Sequence, residues 1–194
     1  MSHYFAVYKP YNMLSQFTRE TPQQHVLGEL HKFPKDVYAL GRLDQDSEGL
    51  LLLTNDNALV TFYHKTTHER TYWVQTDGIA TPEAIAALER GVTIKLPKEM
   101  YTTLPAKVTL ITAPNITERT PAPKPNGKNE MGWLSITLTE GKNRQVRRMT
   151  AAVGFPTLRL VRAAISTLAL DEMQVGEVRE VAQSKVYDAL GFKR

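Results

Sequence analysis

The sequence predicts an α+β fold, and two observations support that class. Short apolar runs of strand length alternate along the chain with segments whose apolar residues have helical spacing. Two of the strand-like runs, residues 108–112 and 133–139, follow one another without a helical pattern between them. Strands that are joined by hairpins as well as by helices favour an α+β domain over a doubly wound parallel sheet.

The first half of the chain is predicted to contain three strands and two helices. The first strand, residues 4–9, is rich in aromatic and aliphatic residues and ends before Pro10. Val26, Leu27 and Leu30 fit one side of a short helix. Strands are then predicted at residues 37–40 and 50–54, with a loop at 41–49 between them and a helix at 58–63.

The next predicted element is a strand at residues 71–76, followed by a helix with clear terminal signals. Thr81 is a good N-cap residue, Pro82 suits the first helical position, and Gly91 is typical of a helix end. After the two paired strands we predict a helix at 143–153 that ends at Gly154, strands at 157–165 and 178–181, and a helix at 185–190.

The segment between the paired strands, residues 114–132, is predicted to be a long mobile loop. It contains four prolines among polar residues, a composition that disfavours both helix and strand. Loops of this length without secondary structure of their own are uncommon in compact domains.

The composition excludes several classes of protein. The chain has 194 residues, 42% of them hydrophobic, and no cysteine, which excludes disulfides, thiolate zinc sites and cysteine nucleophiles. No apolar run approaches the roughly 18 residues that a membrane span needs, and the N-terminus lacks the features of an export signal. The five histidines are scattered, and no metal site is predicted from them. We expect a cytoplasmic monomer without a membrane segment.

Positive charge is concentrated in one segment of the chain. The formal net charge is +4, from 24 basic and 20 acidic residues. Residues 141–162 contain six basic side chains and no acidic one, whereas the remaining chain has 18 basic and 20 acidic residues. Such a segment is the expected electrostatic footprint of a polyanion, and a solvated basic helix face is the alternative.

The predicted loop at residues 41–49 carries three carboxylates, Asp44, Asp46 and Glu48, between two glycines. Their spacing resembles the start of a calcium-binding loop, but the twelfth position is Asn55 rather than a bidentate glutamate, so that interpretation fails. A carboxylate pair for glycoside hydrolysis and a turn whose side chains bond their own backbone stay open on these residues alone.

The most specific pattern lies at residues 140–149, where the sequence is EGKNRQVRRM. If Asn143 caps a helix there, Arg144, Arg147 and Arg148 fall on one face of its first two turns, with the apolar residues on the opposite side. Each arginine in the first turn opposes the helix dipole at a cost of about 0.3–1 kcal/mol. The helix start is therefore predicted to bind an anion, either RNA phosphate or a carboxylate.

Residues 70–74, RTYWV, form an alternating strand pattern with two adjacent aromatics. Alternation places Tyr72 and Val74 on one face and Trp73 on the other, so we expect one aromatic to be buried and the other to be free. A free aromatic can stack on an RNA base, and an ordinary core aromatic is the alternative.

Together these motifs resemble the pseudouridine synthases, in particular the branch that includes RsuA and the large-subunit enzymes of types B, E and F. FAVYKP at residues 5–10 is similar to the family's first motif, and GRLD with SEGL, from residue 41 onward, is similar to its second. RTYWV is similar to the Lys-x-Tyr-x-Val strand, with Arg in place of Lys. EGKNRQVRRM and VGFPTLRLVR resemble the last two motifs, so the resemblance covers nearly the whole chain.

The resemblance implies that the chain isomerises one uridine of 23S rRNA to pseudouridine, with Asp44 as the catalytic carboxylate and the uridine flipped out of its stack. It assigns Arg147 to pairing with Asp44, Tyr72 to stacking on the uracil and Leu160 to the apolar side of the pocket. Arg42 is expected to fill the gap that the flipped uridine leaves. Four further basic residues are expected to hold phosphates: Lys142, Arg144, Arg148 and Arg162.

The implied architecture is a mixed, mostly antiparallel sheet in two halves, with a central active-site cleft where Asp44 and Arg147 meet. We expect a single catalytic domain over residues 1–194, without the RNA-binding S4 domain that most members of this branch carry before the first motif. The reaction involves no redox step, so no cofactor and no metal ion are expected. The alternative from another functional class is a non-catalytic rRNA-binding assembly factor, against which the intact Asp44, Tyr72 and Arg147 argue.

Overall fold

The computed structural model describes residues 2–125, 127 and 130–193, and the chain divides into two units. The first unit contains residues 1–68 and 162–194, and the second contains residues 69–161. Within the described ranges, no helix is long and apolar enough to cross a membrane.

The strands and helices follow the predicted order closely. In chain order the strands are β1 (Tyr4–Lys9), β2 (Met13–Leu14), β3 (His25–Val26), β4 (Tyr38–Leu40), β5 (Glu48–Thr54), β6 (Arg70–Asp77), β7 (Thr93–Lys95), β8 (Met100–Thr102), β9 (Lys107–Ile111), β10 (Met131–Leu138), β11 (Thr157–Ile165), β12 (Leu168–Ala169) and β13 (Val178–Glu180). The α-helices are α1 (Asn57–Lys65), α2 (Pro82–Arg90), α3 (Gln145–Ala152) and α4 (Gln183–Leu190).

The first unit is built around β1 and β5, whose residues are all buried. The two strands are antiparallel, with Phe5 opposite Leu53, and β13 pairs with the other edge of β1. The short strand β4 pairs with the end of β5, and β12 pairs with the end of β11. Strands that are covered on both faces form continuous apolar runs instead of an alternating pattern, which explains the four consecutive leucines of β5.

The predicted short helix near residue 27 is reduced to a 3-10 turn, Leu27–Glu29. Val26 cannot join it because it lies in β3, where it pairs with Leu14 of β2. Leu27 is nevertheless fully buried in the core cluster of the first unit, together with Phe5 and Leu53. The apolar side of the segment was therefore predicted correctly and its helical length was not.

The second unit contains an antiparallel meander in which β10 lies between β6 and β9. Trp133 lies opposite Ile111, which confirms the predicted pairing of these two strands. Buried residues alternate along β10, and leucine, valine and methionine side chains of α2 and α3 belong to the same core cluster as that buried face. The predicted ends of α2 are confirmed: the Thr81 side chain accepts the N–H of Ala84, and Gly91 follows the helix with φ 96°.

The prediction that Asn143 caps α3 is wrong. The helix begins at Gln145, and the residue before it, Arg144, has a left-handed conformation with φ 50° and no side-chain cap. The Asn143 side-chain oxygen instead accepts a hydrogen bond from Arg148 at 3.2 Å. Arg144 therefore lies outside the helix, whereas the buried Val146 confirms that the opposite side faces the core.

The expectation of one buried and one free aromatic on β6 is also wrong. Val74 is fully buried, and Tyr72 on the same side packs against the core cluster while staying partly exposed. Trp73, on the opposite side, is partly buried as well.

The segment between β9 and β10 contains no helix or strand among its described residues. Its first part is hydrogen-bonded to β11: Arg159 donates to the carbonyl of Thr117 at 3.0 Å, and Arg119 donates to that of Leu158 at 3.2 Å. The mobility of the whole loop stays a prediction. The hairpin of β7 and β8 was not predicted from the sequence, because each of its strands is only three residues long.

Candidate active site

Asp44 lies in the loop between β4 and β5, as predicted, and its side chain is half-buried. The loop is shorter than predicted, because Glu48 and Gly49 already belong to β5. Within the loop, residues 44–47 form a turn in which the Asp44 carbonyl oxygen accepts the N–H of Ser47 at 3.1 Å. Arg42, two residues before Asp44, is exposed.

The residue before Asp44 is held by a side chain from a distant part of the chain. The Ser15 hydroxyl donates to the carbonyl oxygen of Leu43 at 2.8 Å and accepts the N–H of the same residue at 3.0 Å. Both Ser15 and Leu43 are buried. Because a buried backbone group without a partner is costly, this hydroxyl satisfies both polar backbone groups of Leu43 at once.

The residue after Asp44 accepts a hydrogen bond from a fully buried lysine. Lys9 Nζ donates to the carbonyl oxygens of Met13 at 2.6 Å, Pro10 at 2.9 Å and Gln45 at 3.4 Å. Three carbonyl oxygens thus surround an ammonium group whose residue is 0% exposed. The two residues that flank Asp44 are therefore held from opposite ends of the same N-terminal segment.

Burial lowers the pKa of Lys9 from its ordinary 10.5 to about 7. The carboxylates of Glu48, Asp46 and Asp44 favour the charged ammonium, whereas the guanidinium of Arg162 disfavours it. The loop that carries Asp44 consequently lies in the field of two buried basic groups.

Arg162 supports the two ends of this loop. Its Nε donates to the carbonyl of Leu50 at 2.7 Å, and a terminal nitrogen donates to the carbonyl of Gly41 at 2.9 Å. The residue is only 2% exposed. This geometry favours a role in holding the loop, and the phosphate contact expected for Arg162 stays a prediction.

Gly49 allows β5 to approach the backbone of Arg162. A Cβ added at Gly49 would lie 2.4 Å from the carbonyl oxygen and 2.5 Å from the nitrogen of Arg162, and the glycine has φ +109°. A larger residue would separate the two backbones. The glycine of the SEGL motif therefore has a structural explanation.

The loop carboxylates do not form a metal site. Glu48 is buried in β5, whereas Asp44 and Asp46 are half-buried in the loop. Over the residues that the structure describes, no three histidine, aspartate or glutamate side chains are placed to bind a metal ion. The loop is thus a hydrogen-bonded turn that carries two half-buried carboxylates, Asp44 and Asp46.

Tyr72 and Leu160 belong to the same core region of the second unit. Leu160 of β11 is buried in the cluster that includes Val146 and Met149 of α3, and Tyr72 of β6 packs against that cluster. Tyr72 as a residue stays partly exposed. The structure therefore brings these two predicted base-binding residues to one side of the sheet.

Arg147 lies in the first turn of α3 and is half-buried. One of its terminal nitrogens lies 3.5 Å from the carbonyl oxygen of Thr157, to which it donates. This contact places the end of the Arg147 side chain beside the start of β11.

The remaining basic residues of the second unit differ in exposure. Lys142 and Arg144 are exposed in the turn before α3, and the ammonium of Lys142 lies 4.5 Å from the centre of the Tyr101 ring. Arg148 is half-buried, and it donates to the carbonyl of Lys95 in the β7–β8 hairpin. Lys142 and Arg144 are therefore more available to an anion than Arg148.

Glu140 holds the turn that carries these residues. Its carboxylate accepts hydrogen bonds from the Tyr101 hydroxyl, the Leu104 N–H at 2.8 Å and the Gln145 side-chain amide at 2.6 Å. The bond to Glu140 raises the pKa of Tyr101. Gln145 also accepts the N–H of Lys142 at 2.9 Å, so the buried amide connects the carboxylate to the turn.

Three of these supporting residues were missed in the sequence. A lysine at the end of an apolar strand, as at Lys9, is a usable signal for a buried charge with a special role. Glu140 is the acidic residue directly before the basic segment, which is a weaker signal. Ser15 gives no signal, because its partner lies 28 residues away.

Comparisons with known proteins place the chain in a known family. A family model described as RNA pseudouridylate synthase matches residues 3–152. Ribosomal large subunit pseudouridine synthase E of Vibrio parahaemolyticus is 46% identical over 175 residues, covering 89% of this chain and 71% of that protein. The protein of the same name from Xanthomonas axonopodis pv. citri is 47% identical over 172 residues, covering 85% of this chain and 86% of that protein.

A solved structure gives the same result at the level of the fold. A crystal structure of a pseudouridylate synthase matches with a TM-score of 0.75 and 27% sequence identity, covering 98% of this chain and 74% of that chain. The α+β class, the mostly antiparallel strand pairing and the resemblance seen in the motifs are thereby confirmed. The chain belongs to the RNA pseudouridylate synthase family.

Proposed function

We propose that this chain converts one uridine of large-subunit (23S) ribosomal RNA into pseudouridine. The observation that carries the proposal is the identity of 46% and 47% to two proteins named ribosomal large subunit pseudouridine synthase E. The family match supports the reaction, and the names of these relatives support the substrate. Because ribosomal RNA is a cytoplasmic substrate, we propose the cytoplasm as the place of action. We also propose that the active form is a monomer.

We assign the catalytic carboxylate to Asp44. The reaction breaks the bond between N1 of uracil and C1′ of ribose, turns the uracil, and joins C5 to C1′. The hydrogen on C5 is lost and N1 gains a proton, so the atoms balance without an oxidant, a reductant or a cofactor. A carboxylate that is held in a fixed orientation can act on the ribose or the base. The hydrogen bonds on both sides of Asp44 support this assignment.

Two residues are proposed to bind the reacting base, and a third is proposed to pair with Asp44. Tyr72, which is partly exposed, is assigned to stack on the uracil. Leu160 is assigned to the apolar side of the base pocket, and Arg147 to pairing with the Asp44 carboxylate. These roles rest on the family resemblance of the motifs in which the residues lie.

The RNA backbone is proposed to bind at the basic turn before α3. The exposure of Lys142 and Arg144 supports their contact with phosphates, and Arg148 is assigned there by the same motif. Arg42, which is also exposed, is proposed to fill the space that the flipped uridine leaves in its stack.

The substrate is tested by incubating the protein with purified 23S rRNA and, as the matched control, with 16S rRNA, and mapping pseudouridine in both. We expect one new pseudouridine in 23S rRNA and none in 16S rRNA. Modification of 16S rRNA alone would show that the substrate is small-subunit rRNA instead. Binding of 23S rRNA without formation of pseudouridine would favour the alternative function, a non-catalytic assembly factor.

A further inference from the structure

We propose that Ser15 is a positioning residue for Asp44, and that its hydroxyl sets the orientation of the catalytic carboxylate. This inference rests on the proposed function, because it takes Asp44 as the residue that acts on the uridine. The Ser15 side chain lies against the backbone of Leu43 and does not need to contact the RNA.

The peptide planes on either side of Asp44 are both held by hydrogen bonds. The carbonyl oxygen of Leu43 lies in the same rigid plane as the backbone nitrogen of Asp44. Ser15 holds that oxygen at 2.8 Å, and it holds the Leu43 N–H at 3.0 Å. On the other side, the carbonyl oxygen of Asp44 accepts the N–H of Ser47 at 3.1 Å. Both planes that determine where the Asp44 side chain leaves the backbone are therefore fixed.

The Ser15 contact differs from ordinary local turn bonding. A serine in a turn commonly bonds backbone groups within a few residues of itself, whereas Ser15 and Leu43 are 28 positions apart. The hydroxyl is buried, with Ser15 only 7% exposed, so water does not readily replace it. The orientation of Asp44 thus depends on one hydroxyl group supplied by another segment of the same unit.

The loop itself contains a matched control, Ser47. This serine is 1% exposed and lies three residues after Asp44. Within the described part of the chain its hydroxyl has no hydrogen-bond partner. Each serine-to-alanine change removes one buried hydroxyl oxygen from this part of the unit. Only the Ser15 change also removes hydrogen bonds, those to the backbone of Leu43.

The experiment measures kcat and KM on 23S rRNA for the wild type, Ser15→Ala, Ser15→Cys and Ser47→Ala, with thermal unfolding recorded for each protein. We expect Ser15→Ala to lower kcat by about ten- to a hundredfold, because a small misplacement of a reacting group costs that much. Its KM should stay within twofold of the wild type. The kcat of Ser15→Cys should lie between those of the wild type and Ser15→Ala, because a thiol forms weaker hydrogen bonds than a hydroxyl. Ser47→Ala should keep the wild-type kcat.

The outcomes separate this inference from the proposed function. A wild type that forms no pseudouridine overturns the proposed function, and the role of Ser15 with it. An active wild type with equal kcat values for Ser15→Ala and Ser47→Ala overturns only the role of Ser15. A change confined to KM or to thermal stability, with kcat retained, also overturns it. If Ser15→Ala is unfolded at the assay temperature, Ser15→Cys takes its place. A wild-type kcat for Ser15→Cys then overturns the role of Ser15.

Discussion

Two positively charged side chains are buried in the first unit, and both donate to backbone carbonyls of the loop that contains Asp44. Lys9 bonds the carbonyl of Gln45, and Arg162 bonds the carbonyls at the two ends of the loop. Buried charges are tolerated in proteins only when they are paired or hydrogen-bonded. The loop therefore takes its shape from side chains that are distant in the sequence.

The lowered pKa of Lys9 predicts how the free energy of unfolding depends on pH. Because its pKa falls from 10.5 to about 7 on folding, the unfolded chain binds more protons than the folded one between those two values. The free energy of unfolding that Lys9 contributes should therefore rise as the pH increases from 7 towards 10.5.

This is checked by urea unfolding of the wild type and Lys9→Met at pH 7 and pH 9. We expect the stability of the wild type relative to the variant to be greater at pH 9 than at pH 7. A difference that is the same at both values would contradict the lowered pKa.

At the scale of elements, the contact between β5 and the backbone of Arg162 is the tightest constraint near the loop. It brings the strand that follows Asp44 against the arginine that bonds both loop ends. A glycine is required at position 49 both for its φ of +109° and for the absence of a Cβ.

Gly49→Ala is therefore expected to lower the free energy of unfolding by about 3 kcal/mol or more, from backbone strain together with overpacking. Gly127→Ala is the matched control, because Gly127 also has a positive φ, of +131°, but no atom of the described residues lies within 4 Å of its added Cβ. The control should cost no more than about 1–2 kcal/mol. Equal losses in denaturant unfolding would show that space at Gly49 is not the cause.

The elements that the sequence predicted well have local signals. The ends of α2 depend on Thr81, Pro82 and Gly91, which act on the backbone next to them. The start of α3 could not be predicted in the same way, because the Asn143 side chain is engaged by Arg148 and the turn is held through Glu140. A cap that depends on tertiary contacts leaves no pattern in a short window of sequence.

The same distinction applies to the candidate site. The side chains that we assign to the chemistry, Asp44, Tyr72 and Arg147, lie in motifs that can be read from the sequence, and their roles stay predictions. The residues that support them, such as Ser15 and Lys9, act through hydrogen bonds to a backbone more than 25 positions away. Such contacts follow from the fold and have no fixed spacing.

At the scale of the whole molecule, the positive charge is less exposed than the sequence indicates. Of the six basic residues in 141–162, Arg159 and Arg162 are buried in β11, with 4% and 2% exposure. Four remain for the RNA backbone: Lys142, Arg144, Arg147 and Arg148. Because Arg147 is proposed to pair with Asp44, the other three are the ones that we propose to bind phosphates.

Binding of 23S rRNA should therefore weaken as salt is added. Three phosphate contacts contribute about −2 to the slope of log affinity against log salt, at roughly −0.7 each in single strands. Lys142→Ala should reduce the magnitude of the slope by about 0.7. Lys107→Ala is the control, because Lys107 is exposed outside this segment and pairs with Glu69 at 2.8 Å, and it should leave the slope unchanged. A salt-independent affinity would contradict the role of the basic turn.

We propose that one carboxylate, that of Asp44, carries out the isomerisation. The most direct measurement counts pseudouridines in 23S rRNA after incubation with the wild type, Asp44→Asn and Asp46→Asn, at equal RNA occupancy. Asp46 is the matched control, a second half-buried aspartate two residues further along the same loop. We predict one new pseudouridine with the wild type and with Asp46→Asn, and none with Asp44→Asn although it still binds RNA. Pseudouridine formation by Asp44→Asn at the wild-type rate would contradict the account.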